Sequence, residues 1–154
     1  MQIFPDFKLL EHADALLLEA ARKATEHAYA PYSQFRVGAA IRLSNGQMIT
    51  GSNQENASFP AGICAERVTL SAASSLYPGI AVTDLALTYT NESDTSNRPV
   101  TPCGICRQTL SEYEQRFGQS IRLILGGILG EIYIFNRATD LLPFAFGSQE
   151  LKRH

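Results

Sequence analysis

Phe35-Arg36-Val37-Gly38-Ala39-Ala40-Ile41-Arg42-Leu43, followed by Ser44-Asn45-Gly46-Gln47, decides how this chain folds. Side chains alternate faces along a strand. Phe35, Val37, Ala39, Ile41 and Leu43 therefore point one way, and Arg36, Gly38, Ala40 and Arg42 the other. Asn45-Gly46 is a two-residue hairpin signal, because that pair tolerates positive φ at both turn positions. The returning strand then covers residues 48–53. Upstream, Leu9, Leu10, Ala13, Leu16, Leu17, Ala20, Ala21, Ala24 and Ala28 recur at helical spacing. They predict a helix over 7–29, with Asp6 as N-cap and Pro31 ending the run. Downstream, Pro60-Ala61-Gly62 is a loop, and a helix runs from near Cys64 to before Pro78-Gly79. Its Ser and Thr content makes it intrinsically weak, so packing must hold it. Residues 82–90 read as a buried strand and 91–98 as a polar surface loop. Pro102 opens a further helix that Gly118 stops, with Cys103, Cys106, Leu110, Tyr113 and Phe117 on one face. Strands at 121–125 and 131–135 surround Gly126-Gly127 and Gly130, and a short segment at 141–151 closes the chain. Strands alternating with helices predict an α/β fold of three layers, α/β/α. The hairpin makes its five-stranded sheet mixed.

The 154 residues are the size of one ordinary domain, so a single domain over 1–154 is expected. Apolar residues make up 45% and charged residues 18%, which excludes a disordered chain. Lys and Arg total 13 against 15 for Asp and Glu, a formal net charge of -2 with no basic cluster. A nucleic-acid polymer is therefore not the expected partner, since affinity for a phosphate backbone comes from clustered Lys and Arg. Apolar runs such as Ala15 to Leu18 are too short to span a bilayer. Asp6, Lys8, Glu11 and Asp14 interrupt any leader-like stretch, so the expected location is cytoplasmic.

Three cysteines are present: Cys64, Cys103 and Cys106. An odd count without a secretion signal speaks against a disulfide framework and leaves metal binding or redox chemistry. Each cysteine cluster falls at a predicted helix N-terminus, where free N–H groups and partial positive charge favour thiolates. Three thiolates suit zinc. A structural zinc site wants four protein ligands, and His12, His27 and His154 are all remote in sequence, although a distant one could fold in. The simpler reading is three protein ligands and a water in the fourth position, which is the catalytic pattern. Zinc with three thiolates leaves a formal charge of about -1, which opposes acidifying that water. The helix termini supply part of the compensation. Arg67 either supplies more by reaching a thiolate or is simply a solvated helix residue. Glu66, two positions after Cys64, sits where a carboxylate can act as general base and then general acid. An isolated Glu there would only complement the helix dipole.

Cys-x-Glu followed by Pro-Cys-x-x-Cys is the signature of zinc-dependent nucleobase deaminases, with Cys in place of the first-ligand His. The chain more specifically resembles the small homotetrameric cytidine deaminases. The segments that carry the resemblance run in order through most of the chain. They are Pro31-Tyr32-Ser33-Gln34-Phe35-Arg36-Val37-Gly38-Ala39-Ala40, Asn53-Gln54-Glu55-Asn56-Ala57-Ser58, Cys64-Ala65-Glu66-Arg67, Pro102-Cys103-Gly104-Ile105-Cys106-Arg107-Gln108, and Leu141-Leu142-Pro143 with Phe146-Gly147. Cys-x-x-Cys alone is weak, whereas the five together are highly specific.

The resemblance implies a cytidine deaminase-like fold and hydrolysis of cytidine and 2′-deoxycytidine to the uridines and ammonia, in pyrimidine salvage. It implies one zinc per chain on Cys64, Cys103 and Cys106, with Glu66 catalytic, and a homotetramer. Asn53 and Glu55 become the ribose-binding pair, although as plain residues they would cap the hairpin strand. Phe35 becomes the aromatic against the pyrimidine ring, although an alternating strand would bury it anyway. Phe146 becomes an aromatic lent to a neighbouring subunit's site, against simple C-terminal packing. Backbone groups near Ala65 and Ser33 contact the base. The chain departs from the family at Phe59, where Tyr is frequent, in the longer loop at 91–99, and in a looser stretch around Gly126-Gly127.

Four rivals remain at this level. They are a blasticidin-type or other nucleoside-like aminohydrolase on the same scaffold, a polynucleotide deaminase, a thiol–disulfide oxidoreductase using Cys103 and Cys106, and an inert zinc-binding module. The redox reading leaves Cys64 and Glu66 unexplained.

Overall fold

The computed structural model describes residues 1–91 and 95–151. Six strands and three α-helices alternate: β1 (Gln2–Phe4), α1 (His12–Ala24), β2 (Phe35–Leu43), β3 (Met48–Ser52), α2 (Ala65–Leu76), β4 (Val82–Asn91), α3 (Gly104–Phe117), β5 (Arg122–Gly126) and β6 (Ile132–Phe135). The sheet order is β1-β6-β5-β4-β2-β3. Only β4 and β5 pair in parallel, bridged by α3, and every other neighbouring pair is antiparallel. The mixed α/β sheet follows the expectation, but it has six strands rather than five. β1 is the addition. Three residues are too few to show a period, and β1 is a strand only because Gln2, Ile3 and Phe4 pair with Ile134, Tyr133 and Ile132.

The period-2 pattern sorts the two faces. Ala39, Ile41, Leu43, Leu85, Leu87, Leu123 and Leu125 face α2 and α3, meeting Ala65, Leu70, Ala73 and Leu110. Ala40, Ala86, Ile124, Ile132 and Ile134 face α1, meeting Leu17, Leu18 and Ala21. The register matches like with like across the central strands: Ile41 opposite Leu85, Ala40 opposite Ala86, Ala39 opposite Leu87. Each fully buried Leu or Ile contributes roughly 1.5–3 kcal/mol relative to an exposed one.

Three boundaries moved. The predicted helix over 7–29 is α1 alone, flanked by 3-10 turns at Phe7–Leu9 and Thr25–His27. Asp6 caps the first of those turns, accepting from the Lys8 N–H at 2.8 Å, and does not cap α1. The hairpin turn has positive φ at Gly46 only, not at both central residues. The Gly46 N–H reaches the Leu43 carbonyl at 2.8 Å, and Leu43 N–H reaches the Gln47 carbonyl at 2.8 Å. This is a three-residue loop whose left-handed position is taken by glycine. Gly118, at φ 60, ends α3 as expected. No helix among the described residues is long and apolar enough to cross a membrane.

Candidate active site

α2 and α3 both start on a cysteine. Cys64 is the N-cap of α2 and Cys103 of α3, each in extended conformation and each without a side-chain cap hydrogen bond. Ser, Thr, Asp or Asn would normally fill these positions and satisfy the first N–H groups. A cysteine leaves those groups, and the positive end of each helix, turned toward sulfur. Cys106 lies one turn into α3 and is fully buried. The three Sγ atoms lie within 4.8 Å of one another, Cys64 and Cys103 at 3.8 Å and Cys103 and Cys106 at 3.5 Å. All three thiols are free.

This donor set fits zinc. Thiolates about 2.3 Å from a tetrahedral zinc stand about 3.8 Å apart, and the Cys64–Cys103 and Cys103–Cys106 separations are close to that. Among the described residues no His, Asp or Glu joins the three thiols in the cluster, so neither His12 nor His27 supplies a fourth ligand. His154 lies outside the described residues. The cluster polarises its own protons. Hydrogen bonds from Cys106 and Cys103, with the charge of Arg67, bring Cys64 down to about 6 against the cost of burial. The Cys64 bond and burial push Cys106 up.

Glu66 is the second residue of α2 and only 4% exposed. Burial raises its carboxyl above the usual carboxylate range, and the Cys64 charge adds to this. The backbone N–H at the helix start, Cys106 and Arg67 pull the other way. A carboxyl whose pKa burial raises in this way is a candidate for proton transfer. Arg67 is half-buried and works through its charge on Cys64 and Glu66; it makes no hydrogen bond to a thiolate among the described residues.

A cavity of about 220 Å³ opens beside the cluster, lined by Phe35, Asn53, Cys64, Ala65, Glu66 and Cys103. Six of the expected site residues thus meet in one hollow. Phe35 is held there by its ring stack on Tyr89, centroids 4.8 Å apart and 20° between planes. Asn53 is spent on β2: its Oδ1 accepts from Val37 N–H at 2.8 Å and its Nδ2 donates to the Phe35 carbonyl at 2.9 Å. Glu55 faces a different hollow of about 410 Å³ with Tyr32, Ser33 and Phe59. Its carboxylate accepts from the Tyr32 and Ser33 N–H groups at 2.9 and 3.3 Å and from the Ser33 hydroxyl. Those bonds, the hydroxyl first, hold Glu55 below the usual carboxylate range. Phe146 is not on the cavity; the residue is 56% exposed and its carbonyl accepts from Gln108 Nε2 at 2.8 Å.

Val37, Leu87, Val100 and Thr101 complete the cavity wall and were not anticipated. Arg107 was quoted only as part of a motif, yet it ties the Pro102-Cys103 turn in place. It donates to the Pro102 carbonyl at 2.7 Å, the Leu141 carbonyl at 3.1 Å and the Thr101 hydroxyl at 3.3 Å. An arginine directly after the last cysteine was the available signal.

The sequence model of the family described as "Cytidine and deoxycytidylate deaminase zinc-binding region" matches residues 11–117. A cytidine deaminase of Halalkalibacterium halodurans is 37% identical over 136 residues, 88% of this chain and 96% of that protein. A crystal structure of cytidine deaminase from Burkholderia pseudomallei superposes with a TM-score of 0.74 at 36% identity, covering 89% of this chain and 100% of that one. A blasticidin-S deaminase of Bacillus cereus is more distant, 35% identical over 100 residues, 62% of this chain and 71% of that protein.

Proposed function

The chain belongs to the cytidine and deoxycytidylate deaminase family, and from that premise we propose that it hydrolyses the 4-amino group of cytidine and 2′-deoxycytidine, giving the uridines and ammonia. The observation that carries this reading is the buried Glu66 beside three thiols at zinc-binding spacing, with Glu66, Cys64 and Cys103 lining one cavity with Phe35. Zinc bound to Cys64, Cys103 and Cys106 supplies Lewis acidity, which makes water a stronger acid and stabilises negative charge on oxygen. Glu66 takes a proton from the attacking water and passes it to ring nitrogen N3 as oxygen bonds to C4. Glu66 next carries the second proton from that oxygen to the amino nitrogen. The C4–N bond breaks, ammonia leaves, and the 4-carbonyl of uridine remains. Water and cytidine are thus consumed one for one, with no net proton change on Glu66. Phe35 packs on the pyrimidine ring, Ala65 offers backbone polar groups to the base, and Arg67 offsets the negative charge of the thiolates.

Asn53 and Glu55 are proposed to meet the ribose. For Asn53 this means sharing an amide that already holds β2, and for Glu55 giving up part of its Ser33 and Tyr32 bonds. Phe146, exposed in the single chain, is proposed to complete a neighbour's site in a homotetramer. The protein is read as one domain that acts in the cytoplasm on free nucleosides in pyrimidine salvage, without a nucleic-acid polymer or membrane as partner.

The test is uridine and ammonia formation from cytidine by purified protein of measured zinc content. Turnover with about one zinc per chain supports the reading. Zinc without turnover, or a preference for a blasticidin-type analogue over cytidine, overturns the substrate. Light scattering at the mass of four chains supports the tetramer, and a monomer overturns it.

A further inference from the structure

Two features set apart in the sequence meet: residues 95–97, the described part of the long loop that bears on this, pack against the glycine-rich stretch at 126–130. Ser96 is only 2% exposed and holds a positive φ of 49, a conformation that side chains other than glycine rarely adopt. Its carbonyl accepts from the Ile128 N–H at 2.7 Å and from the Leu129 N–H at 3.3 Å. The backbones approach so closely that a Cβ on Gly127 would overlap the Ser96 carbonyl oxygen, and one on Gly130 would overlap the Asn97 carbonyl oxygen. Arg22 of α1 anchors the far side, donating to the Gly127 carbonyl at 2.9 Å with its guanidinium over the Phe7 ring at 4.4 Å. From this anchorage the chain runs through Arg98 and Pro99 directly to Val100 and Thr101, which line the cavity, and to Cys103.

We propose that residues 95–98 and 126–130 form a clasp that sets the cavity wall, making Gly127 and Gly130 positioning residues for substrate binding. The clasp rests on the reading of that cavity as the substrate site. Neither glycine touches the cavity. Each acts by letting the Ser96–Asn97 backbone sit close enough for Val100 and Thr101 to reach their places. A strained Ser96 persists only where its surroundings hold it, and here two backbone hydrogen bonds and a gap free of side chains do so.

The test uses full-length zinc-loaded protein and the variants Gly127→Ala and Gly130→Ala. Gly79→Ala serves as control, since Gly79 also has positive φ but meets nothing within 4 Å. In the clasp variants the KM for cytidine rises about tenfold, toward the roughly 10²-fold that an ångström of misplacement costs, with zinc content unchanged. Gly79→Ala lowers thermal stability and leaves KM alone. Hydrogen exchange reads the clasp without turnover: Ile128 and Leu129 amides lose protection in the variants, and Val100 and Thr101 loosen with them. If neither clasp variant folds, Arg22→Met carries the test with the same readouts, because it removes the hydrogen bond to the Gly127 carbonyl without adding a side chain to the gap. A wild-type KM in the clasp variants, or opening at Ile128 with Val100 and Thr101 undisturbed, overturns the proposal. Absence of cytidine turnover in the unaltered protein overturns the substrate reading, and the exchange pattern still decides the clasp.

Discussion

Burial in α2 raises the Glu66 carboxyl above the usual carboxylate range, and Cys64, Cys106 and Arg67 adjust it. Replacing Glu66 with glutamine keeps the shape and removes the proton transfer. Glu66→Gln is expected to lower kcat by about 10²–10⁴-fold with zinc content unchanged, read by steady-state kinetics and metal analysis. Glu55 is a different kind of carboxylate, held below its usual range by Ser33 and Tyr32. A group with depressed folded-state pKa adds stability above its unfolded pKa, about 4.3 for Glu, and that contribution is lost as pH falls through the folded value. Wild type should therefore exceed Glu55→Gln in stability at neutral pH, and the gap should close below about pH 4.3. Thermal melts of both proteins across pH 3–7 check this. Cys64, Glu66, Cys103 and Cys106 were legible in the sequence because their chemistry requires those residue types at those spacings. Val37 and Leu87 were not, since an apolar strand residue has the same pattern whether it meets a cavity or a helix. Capping of the hairpin strand by Asn53 was legible as an alternative, but which β2 backbone groups its amide meets depends on strand register.

At the scale of elements, the two helices that matter are weak on their own and are held by the sheet. α2 packs on β2 and β3, with Ala65, Leu70 and Ala73 in the core, which fixes the direction in which Cys64 and Glu66 face. On the other face α1 lies so near β2 that a Cβ on Gly38 would overlap the Ala21 carbonyl oxygen and come within 2.8 Å of Thr25 N. Gly38→Ala should cost about 1–3 kcal/mol by overpacking, measured as a lower urea midpoint with unchanged slope. Element type was legible wherever apolar period and length agreed, as in β2, β4 and α1. It failed for β1, which depends on β6 more than a hundred residues away, and at the hairpin, where Asn-Gly supports more than one loop geometry. Helix ends also shifted, because Thr25–His27 continues the apolar spacing in a tighter turn.

Across the whole molecule the sheet separates chemistry from reinforcement. Asp84 at the start of β4 binds Arg122 of β5 at 2.8 Å, Arg42 of β2 at 3.4 Å and the Thr83 hydroxyl at 2.8 Å. Arg122 also binds Asp14 of α1 at 2.9 Å, so one ionic network ties three strands to a helix. None of these residues lines the Glu66 cavity. Asp84→Asn should cost about 1–3 kcal/mol, less than a fully buried pair because Arg122 is 39% exposed, while kcat for cytidine stays at the wild-type value. Calorimetry together with kinetics separates the two effects. The pairing of β1 with β6 has a consequence during synthesis. Gln2 meets Ile134, so at 5–20 residues per second the first strand waits roughly 7–26 s on the ribosome for its partner. Through that interval Ile3 and Phe4 have no sheet to join, and the nascent chain must complete five strands before the sixth can close over Ile132 and Ile134.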